Sequence, residues 1–402
     1  MNTIERPFWQ DAIEDAWKIR SIVWLMGVRR VGKTKLCMSL PDVEYYDCEK
    51  AGVREMLKNY ELFLESKQGK RIALDEIHKL DNPAEVLKVA ADHYPSIKII
   101  ATGSSTLGAS AQFSDTLAGR KREIWLTPLM FQELRAFGNT NLQHRFLFGG
   151  LPIFFENKEL TETDFKEWMD AYWAKDIEEM FKVGSRRPFL LFAELLMANS
   201  GGLFEASRYT QRCEVVRPTI VNYLKILEET FLVHLVRPFS SHRPTEIVKA
   251  PKVYGFDTGF VCNAKSWHTI RQEDTGILWE HCVLNELHAH FQDREINYWR
   301  SKSGHEIDFV YRNRVNDSLI AIECKYSVAH QEISRSAGNN LGENIAAFRK
   351  HYPKGANFVV ASDVTEPYMR KYQDLVIWYV NPKEMISRIK DIATVRIKSP
   401  SL

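Results

Sequence analysis

The sequence predicts an α/β protein in three parts: a parallel-sheet module, a helical middle that ends in a winged helix, and a second α/β region. Three observations carry this reading. Short apolar runs alternate with helical stretches through the first third, the pattern of a parallel sheet. From Phe165 to Leu227 apolar residues recur at helical spacing. A long helix opening at Gly276 is followed by three strands whose charged and apolar residues alternate. The boundaries drawn from these patterns are 1–155, 156–250 and 251–402.

The first strand is Ile22-Val23-Trp24-Leu25-Met26. It runs into Gly27-Val28-Arg29-Arg30-Val31-Gly32-Lys33-Thr34, and Lys35 to Leu40 reads as the opening of a helix. Strand, glycine loop and helix in that order make the GxxxxGK[ST] pattern a P-loop. The glycines let backbone N–H groups turn inward around phosphate oxygens, and the helix N-terminus adds its positive dipole. Lys33 would reach the β- and γ-phosphates of ATP, and Thr34 would place its hydroxyl on Mg2+. The expected ATP contacts are therefore Gly27, Val28, Arg29, Arg30, Val31, Gly32, Lys33, Thr34 and Lys35.

Further strands are read at 43–47, 71–75, 97–102 and 123–126. Arg71-Ile72-Ala73-Leu74 ends in Asp75 and Glu76, two acids where an open α/β sheet places its nucleotide metal. Asp75 is expected to hold Mg2+, directly or through water, and Glu76 to orient and deprotonate the attacking water. The fourth strand runs into Thr102-Gly103-Ser104-Ser105. A small polar residue there senses the γ-phosphate or holds the lytic water; Ser104 is the choice, with Ser105 the neighbouring alternative.

Composition sets the outer limits. Hydrophobic residues at 45% and charged residues at 26% of 402 are ordinary globular values, with length for two or three domains. A net charge of +2 is no polycationic signature, so any contact with nucleic acid must come from local patches. No apolar run approaches the roughly 20 residues a bilayer crossing needs, and Met1–Arg6 has no signal-peptide core. The six cysteines, at 37, 48, 213, 262, 282 and 324, show neither CxxC pairing nor zinc-ligand spacing. Beside a P-loop they read as reduced, buried thiols of a cytoplasmic protein with no membrane partner.

Several motifs of the first third recur in order: Gly27–Thr34, Leu74-Asp75-Glu76-Ile77-His78, Thr102-Gly103-Ser104-Ser105 and Leu117-Ala118-Gly119-Arg120. Leu126-Thr127-Pro128-Leu129, Phe131-Gln132-Glu133 and Gly149-Gly150-Leu151-Pro152 continue the set. Together they resemble the AAA+ ATPases, and within them a prokaryotic group with a distinctive C-terminal region. The resemblance implies that Arg120 is an arginine finger acting on a neighbouring subunit's nucleotide. That in turn implies a homo-oligomer, a hexamer-like ring or stack. The residues alone equally allow a surface arginine paired with Glu123 or another acid. By the same resemblance Pro152 lies near the adenine; by its residues the segment is also an ordinary interdomain turn.

In the middle part, Phe165, Trp168, Met169, Tyr172, Trp173 and Ile177 form a helical core stripe, and Asn199-Ser200-Gly201-Gly202 stops a helix begun near Phe189. A short helix at 205–212 and a longer one at 218–230 follow, the latter with Ile220, Tyr223, Leu224 and Leu227 on one face. Phe231–Val236 and Lys252–Phe256 are read as a two-stranded wing. Helix-turn-helix plus wing is a DNA-reading shape. Basic residues lie on its approach (Arg208, Arg212, Arg217) and in the wing (Arg237, His242, Arg243), but the second helix mixes Lys225 with Glu228 and Glu229. DNA contact and a purely structural role both stay open.

The last third sets Glu280 on an apolar helix stripe with Val283, Leu284, Leu287 and Phe291, an acid that needs a satisfying partner, expected just downstream. Strands follow at 296–300, 306–311 and 319–325. Asp308, fourteen residues, then Glu323-Cys324-Lys325 is the spacing of the PD-(D/E)XK nuclease motif. Asp308 and Glu323 would hold a second divalent metal, Mg2+ or Mn2+, with Glu280 completing the shell and Lys325 polarising water. The helix–three-strand order resembles the restriction-endonuclease-like fold, and the AAA+ group named above characteristically ends in such a region. The resulting expectation is a DNA-stimulated ATPase with a metal-dependent nuclease domain, acting in DNA repair, processing or defence. The alternative is an ATP-driven oligomeric switch that regulates protein assemblies, with an inert nuclease-like domain.

Overall fold

A computed structural model describes residues 4–103, 111–178, 181, 183–241, 250–329 and 341–394. Ser104, Ser105, His242 and Arg243 lie outside the described residues. The chain divides into two compact units, one of Met1–Phe192 with Pro218–Leu232, the other of Ala193–Arg217 with Val233–Leu402. Among the described residues no helix is long and apolar enough to cross a membrane.

The first unit is built on a five-stranded parallel sheet. Its strands are β1 (Ile22–Met26), β2 (Val43–Asp47), β3 (Arg71–Asp75), β4 (Lys98–Thr102) and β5 (Lys121–Trp125), in spatial order β2-β3-β4-β1-β5. Composition explains the order. The three inner strands are near-continuous apolar runs buried on both faces, as parallel strands covered by helices must be. The edge strands Val43-Glu44-Tyr45-Tyr46-Asp47 and Lys121-Arg122-Glu123-Ile124-Trp125 carry the charges. Trp24, Ile72, Leu74, Leu87, Ile99 and Phe113 anchor the core on one face. β1 lies between β4 and β5, so the order switches direction beside the loop that leaves β1, the place where open α/β sheets bind ligands.

The second unit holds a mixed nine-stranded sheet. Its strands are β6 (Gly202–Leu203), β7 (Val233–Pro238), β8 (Lys252–Gly255), β9 (Asn297–Arg300), β10 (Glu306–Arg312), β11 (Leu319–Lys325), β12 (Asn357–Ala361), β13 (Tyr368–Tyr372) and β14 (Leu375–Val380). The spatial order is β13-β14-β12-β11-β10-β9-β7-β8-β6. The expected helix is Thr275–Phe291, and Ile345 and Phe348 of the later helix Leu341–His351 join Ile307, Val310, Ala321 and Val359 in a core.

The wing needs correcting. β7 and β8 do pair antiparallel, Leu235 against Val253, but β7 also pairs in parallel with β9, Arg237 against Asn297. They extend the large sheet instead of standing free. The reason is burial: β8 is buried at all four positions and β7 at four of six, whereas a wing keeps one face in water. The helix Arg217–Glu229 falls almost wholly in the first unit and the short helix Ser207–Cys213 in the second.

Candidate functional site

The P-loop is shaped by its glycines. Gly27 has φ +144°, and a Cβ there would stand 2.5 Å from the Leu126 carbonyl oxygen, so no side chain fits where the chain leaves β1. Gly32, φ +104°, turns the loop into the helix Lys33–Ser39. Lys33 Nζ donates to the carbonyls of Gly27 at 2.8 Å and Val28 at 3.2 Å, which holds the ammonium over the loop. Burial lowers the pKa of Lys33 and the nearby Arg29 charge adds to this, against the opposing pull of Glu76, Asp176 and Asp75.

Asp75 is the hub. It is 3% exposed, and a carboxylate so buried needs donors. Thr34 Oγ1 donates to its Oδ2 at 2.7 Å, the Tyr45 hydroxyl donates to the same oxygen at 2.6 Å, and the Thr102 hydroxyl donates to Oδ1. The β3–β4 register, Leu74 against Ala101, brings Asp75 and Thr102 to adjacent strand ends. Glu76 leaves β3 in the left-handed region, φ 52° and ψ 45°, a conformation that costs a non-glycine residue about 1–3 kcal/mol and collects at functional sites. Its N–H donates to Thr102 Oγ1 at 3.1 Å, and its carboxylate lies 3.2 Å from His78 Nδ1. Burial alone would raise the Glu76 pKa, but the His78 hydrogen bond and the Lys33 charge prevail and hold it below its ordinary value. Glu76 is therefore an anion at neutral pH.

A hydroxyl and a carboxylate oxygen 2.7 Å apart fit one side of a Mg2+ site whose other ligands are phosphate and water. Among the described residues no three His, Cys, Asp or Glu are grouped to hold a metal, and a metal that arrives with a nucleotide requires no such group.

Other residues close around the loop. Arg6 and Glu133 form a buried bidentate pair, 2.6 and 2.9 Å, and Arg6 Nη1 also donates to the Val31 carbonyl at 3.0 Å. A Cβ on Gly32 would lie 3.8 Å from Pro152 Cγ, which puts Pro152 beside the P-loop. Gly150 just before it has no room for a side chain, a Cβ there being 2.6 Å from Arg145 Nη2. Trp168 Nε1 donates to the Arg29 carbonyl at 3.3 Å, and Asp176 Oδ2 lies 3.6 Å from Arg29 Nη1. Arg120 is away from this group: it is one-third exposed and grips Asp92 with two bonds, 2.7 and 3.0 Å, while Glu123 pairs with Lys121.

The sequence reading passed over Thr102 in favour of Ser104, and missed Tyr45, Asp176 and Arg6. Thr102 had a signal, being the polar residue that ends the strand beside β3. Asp176, by contrast, sits on a tryptophan-rich helical stretch that reads only as core.

The second unit gathers its own charged cluster. Asp308 on β10 lies one residue beyond the Phe309–Ile322 pair of the β10–β11 ladder, and its Oδ2 accepts the Cys324 N–H at 2.8 Å. Glu323 is 1% exposed, with Asn344 Nδ2 at 3.4 Å and Lys325 Nζ at 3.5 Å. Glu280 accepts the Tyr254 hydroxyl at 2.7 Å, so its partner lies upstream and not downstream as expected. Burial and then the Asp308 charge push Glu280 up to about 7 and Glu323 up to about 8. Lys325 is raised in spite of its burial, by Asp308 and Glu323. Lys252, buried and paired with Glu306, is a further cation of this cluster that the sequence reading left out of the site. Glu280, Asp308, Glu323 and Lys325 are thus electrostatically coupled. Each carboxylate is nonetheless bonded to a protein donor of its own, and no three of them converge on a metal position.

Comparison with known proteins matches three successive stretches of the chain. Residues 19–135 match the model of an AAA domain, residues 139–271 a domain of unknown function (DUF8612), and residues 275–373 another (DUF4143). An uncharacterized protein of Mycobacterium tuberculosis is 26% identical over 300 residues, covering 71% of this chain and 66% of its own. An uncharacterized protein of Methanocaldococcus jannaschii is 22% identical over 321 residues, 71% of each chain. The chain thus spans just under two thirds of the length of its mycobacterial relatives. Among solved structures, the Walker-type ATPase of Pyrococcus abyssi aligns with a TM-score of 0.43 at 15% identity, over 65% of this chain and 96% of that one. The first unit therefore carries a P-loop ATPase domain of the AAA class, followed by two regions that match domains of unknown function.

Proposed function

We propose that this protein binds and hydrolyses ATP at the loop Gly27–Thr34. The observation that carries the reading is the Thr34–Asp75 hydrogen bond, which joins the helix end of the P-loop to the acidic end of β3. Backbone N–H groups of the loop and Lys33 would bind the phosphates, and Pro152 would border the nucleotide. Mg2+ held at Thr34 and Asp75 would neutralise phosphate charge. Glu76, ionised and oriented by His78, would position water and accept its proton.

The test is ATP turnover and binding by the full chain. Glu76→Gln is expected to lose about 10²–10⁴ in kcat while still binding Mg-ATP, and Lys33→Ala to lose binding. Turnover in Glu76→Gln equal to wild type would sink the assignment of Glu76.

A second reading concerns the other unit. Carboxylates on neighbouring strands with strongly raised pKa values, beside a lysine, are a functional-site pattern. They support metal-dependent phosphodiester cleavage by Asp308, Glu323, Lys325 and Glu280, with DNA as substrate and stimulator. The donors now bonded to these carboxylates do not fit a metal without rearrangement. Nicking of duplex or branched DNA in Mg2+ or Mn2+, lost in Lys325→Ala, supports cleavage. ATP turnover indifferent to DNA, together with intact DNA in both metals, supports the oligomeric switch.

A further inference from the structure

The helical segment that follows the five-stranded sheet returns to the P-loop at two points, both on Arg29. Trp168, fully buried in the helix Glu162–Tyr172, binds the Arg29 carbonyl. The helix then widens into a π-helical stretch, Trp173–Glu178, a feature that collects at functional sites. Asp176 lies in that stretch.

The Arg29–Asp176 contact is incomplete. At 3.6 Å it is an ion pair without a hydrogen bond, and its side chains are only 25% and 16% exposed. Arg29 Nε and Asp176 Oδ2 are both buried with no hydrogen-bond partner among the described residues. Charged atoms left so are costly, and a native site that keeps them invites a functional explanation. A guanidinium presents its N–H groups as a planar fork matched to phosphate oxygens, and this fork has a donor to spare. Asp176 faces the phosphate end of the loop: burial raises its pKa, Lys33 and Arg29 pull it down, and Glu76 pushes it up again.

We propose that the Arg29 guanidinium is itself a ligand of the nucleotide's terminal phosphate, and that Asp176 is a positioning residue that competes with that phosphate for it. The proposal rests on the ATP-binding reading of the P-loop and adds to it a side-chain contact and a brake. A phosphate and the Asp176 carboxylate are like charges drawn to the same guanidinium, so a triphosphate binds against Asp176. A diphosphate, lacking the terminal group, does so less. Asp176 thereby sets the ratio of ATP to ADP affinity.

The test is calorimetric titration of the full chain with Mg-ATP and Mg-ADP in a Glu76→Gln background, which prevents turnover. Asp176→Asn is expected to tighten Mg-ATP about three- to ten-fold and Mg-ADP less. Arg29→Gln should weaken Mg-ATP more than Mg-ADP, and adding Asp176→Asn to it should change nothing further. Asp176→Glu, which keeps the charge, should keep the wild-type ratio. Equal effects of Asp176→Asn on both nucleotides, or an effect that survives in Arg29→Gln, overturns the proposal. The ratio is unaffected by a general loss of folded protein. If the Glu76→Gln parent binds neither nucleotide, it is the ATP-binding reading that fails.

Discussion

Thr102 illustrates how much one side chain can hold at this site. Its hydroxyl donates to Asp75 and accepts the Glu76 N–H, so it ties together the two acids assigned to metal and water. Thr102→Val leaves a buried carboxylate short of a donor and an N–H without its acceptor. A loss of about 1–3 kcal/mol in urea unfolding is expected, with a fall in kcat that exceeds any change in ATP affinity. Thr102→Ser should restore both. Tyr45→Phe removes one of three donors and nothing else, so its cost should be smaller; equal effects would refute the linking role of Thr102. In the second unit the informative residues are Glu280 and Glu323. Their folded pKa values, about 7 and about 8, lie above the ordinary carboxylate value. The folded chain therefore holds protons on these two groups that the unfolded chain has released, and their contribution to stability falls as pH rises from about 4.5 to 8. The buried His234 and His288, whose pKa values burial lowers, act the other way below about pH 6.5. Urea midpoints measured in EDTA from pH 7 to 8, above the histidine range, should decline, and Glu323→Gln, neutral throughout, should flatten the decline. Mn2+ added at pH 7.5 should raise the midpoint if the acids can turn to a metal, and leave it unchanged if they cannot.

At the level of elements, much of the architecture was legible. The inner strands of the first sheet announced themselves as unbroken apolar runs, the edges by their charges, and the P-loop by its glycines. The same rule, applied strictly, marks β8, since Lys252-Val253-Tyr254-Gly255 does not alternate as a half-wetted wing does, whereas Val233-His234-Leu235 of β7 alternates and gives no such sign. What could not be read were contacts between residues far apart in the chain that no local pattern links: Asp176 on Arg29, Arg6 on Glu133, Tyr254 on Glu280. Glycines give the element scale its sharpest test. Gly355 enters β12 with φ +132°, and a Cβ there would lie 1.7 Å from the Leu319 carbonyl oxygen of β11. Gly276, in the first turn of the helix Thr275–Phe291, has open space around its Cβ position. Gly355→Ala should therefore cost more than the roughly 1–3 kcal/mol of a strained backbone, whereas Gly276→Ala should be neutral or stabilise by up to about 1 kcal/mol. Similar melting temperatures for the two would show that the β11–β12 entry is not tightly constrained.

For the molecule as a whole the open question is whether one chain makes a complete ATPase. Arg120, the finger implied by resemblance, is held by Asp92 on the surface of its own unit and is not among the groups around Lys33 and Glu76. An exposed ion pair is screened by water and salt, so exchanging Asp92 for a phosphate on another subunit gives up little. If Arg120 works in trans, Arg120→Ala and Glu76→Gln should each be nearly inactive alone, since every site in either assembly lacks one part. Mixed, they should regain activity. A site with the intact Glu76 of an Arg120→Ala subunit can then face the intact Arg120 of a Glu76→Gln subunit, in about a quarter of pairings for random equal mixing. Recovery should also rise with protein concentration and track assembly measured by light scattering in the presence of an ATP analogue. Arg120→Ala with wild-type turnover would remove the finger altogether. Two inactive variants that stay inactive when mixed, in a preparation shown to exchange subunits, would place Arg120 in service of its own chain.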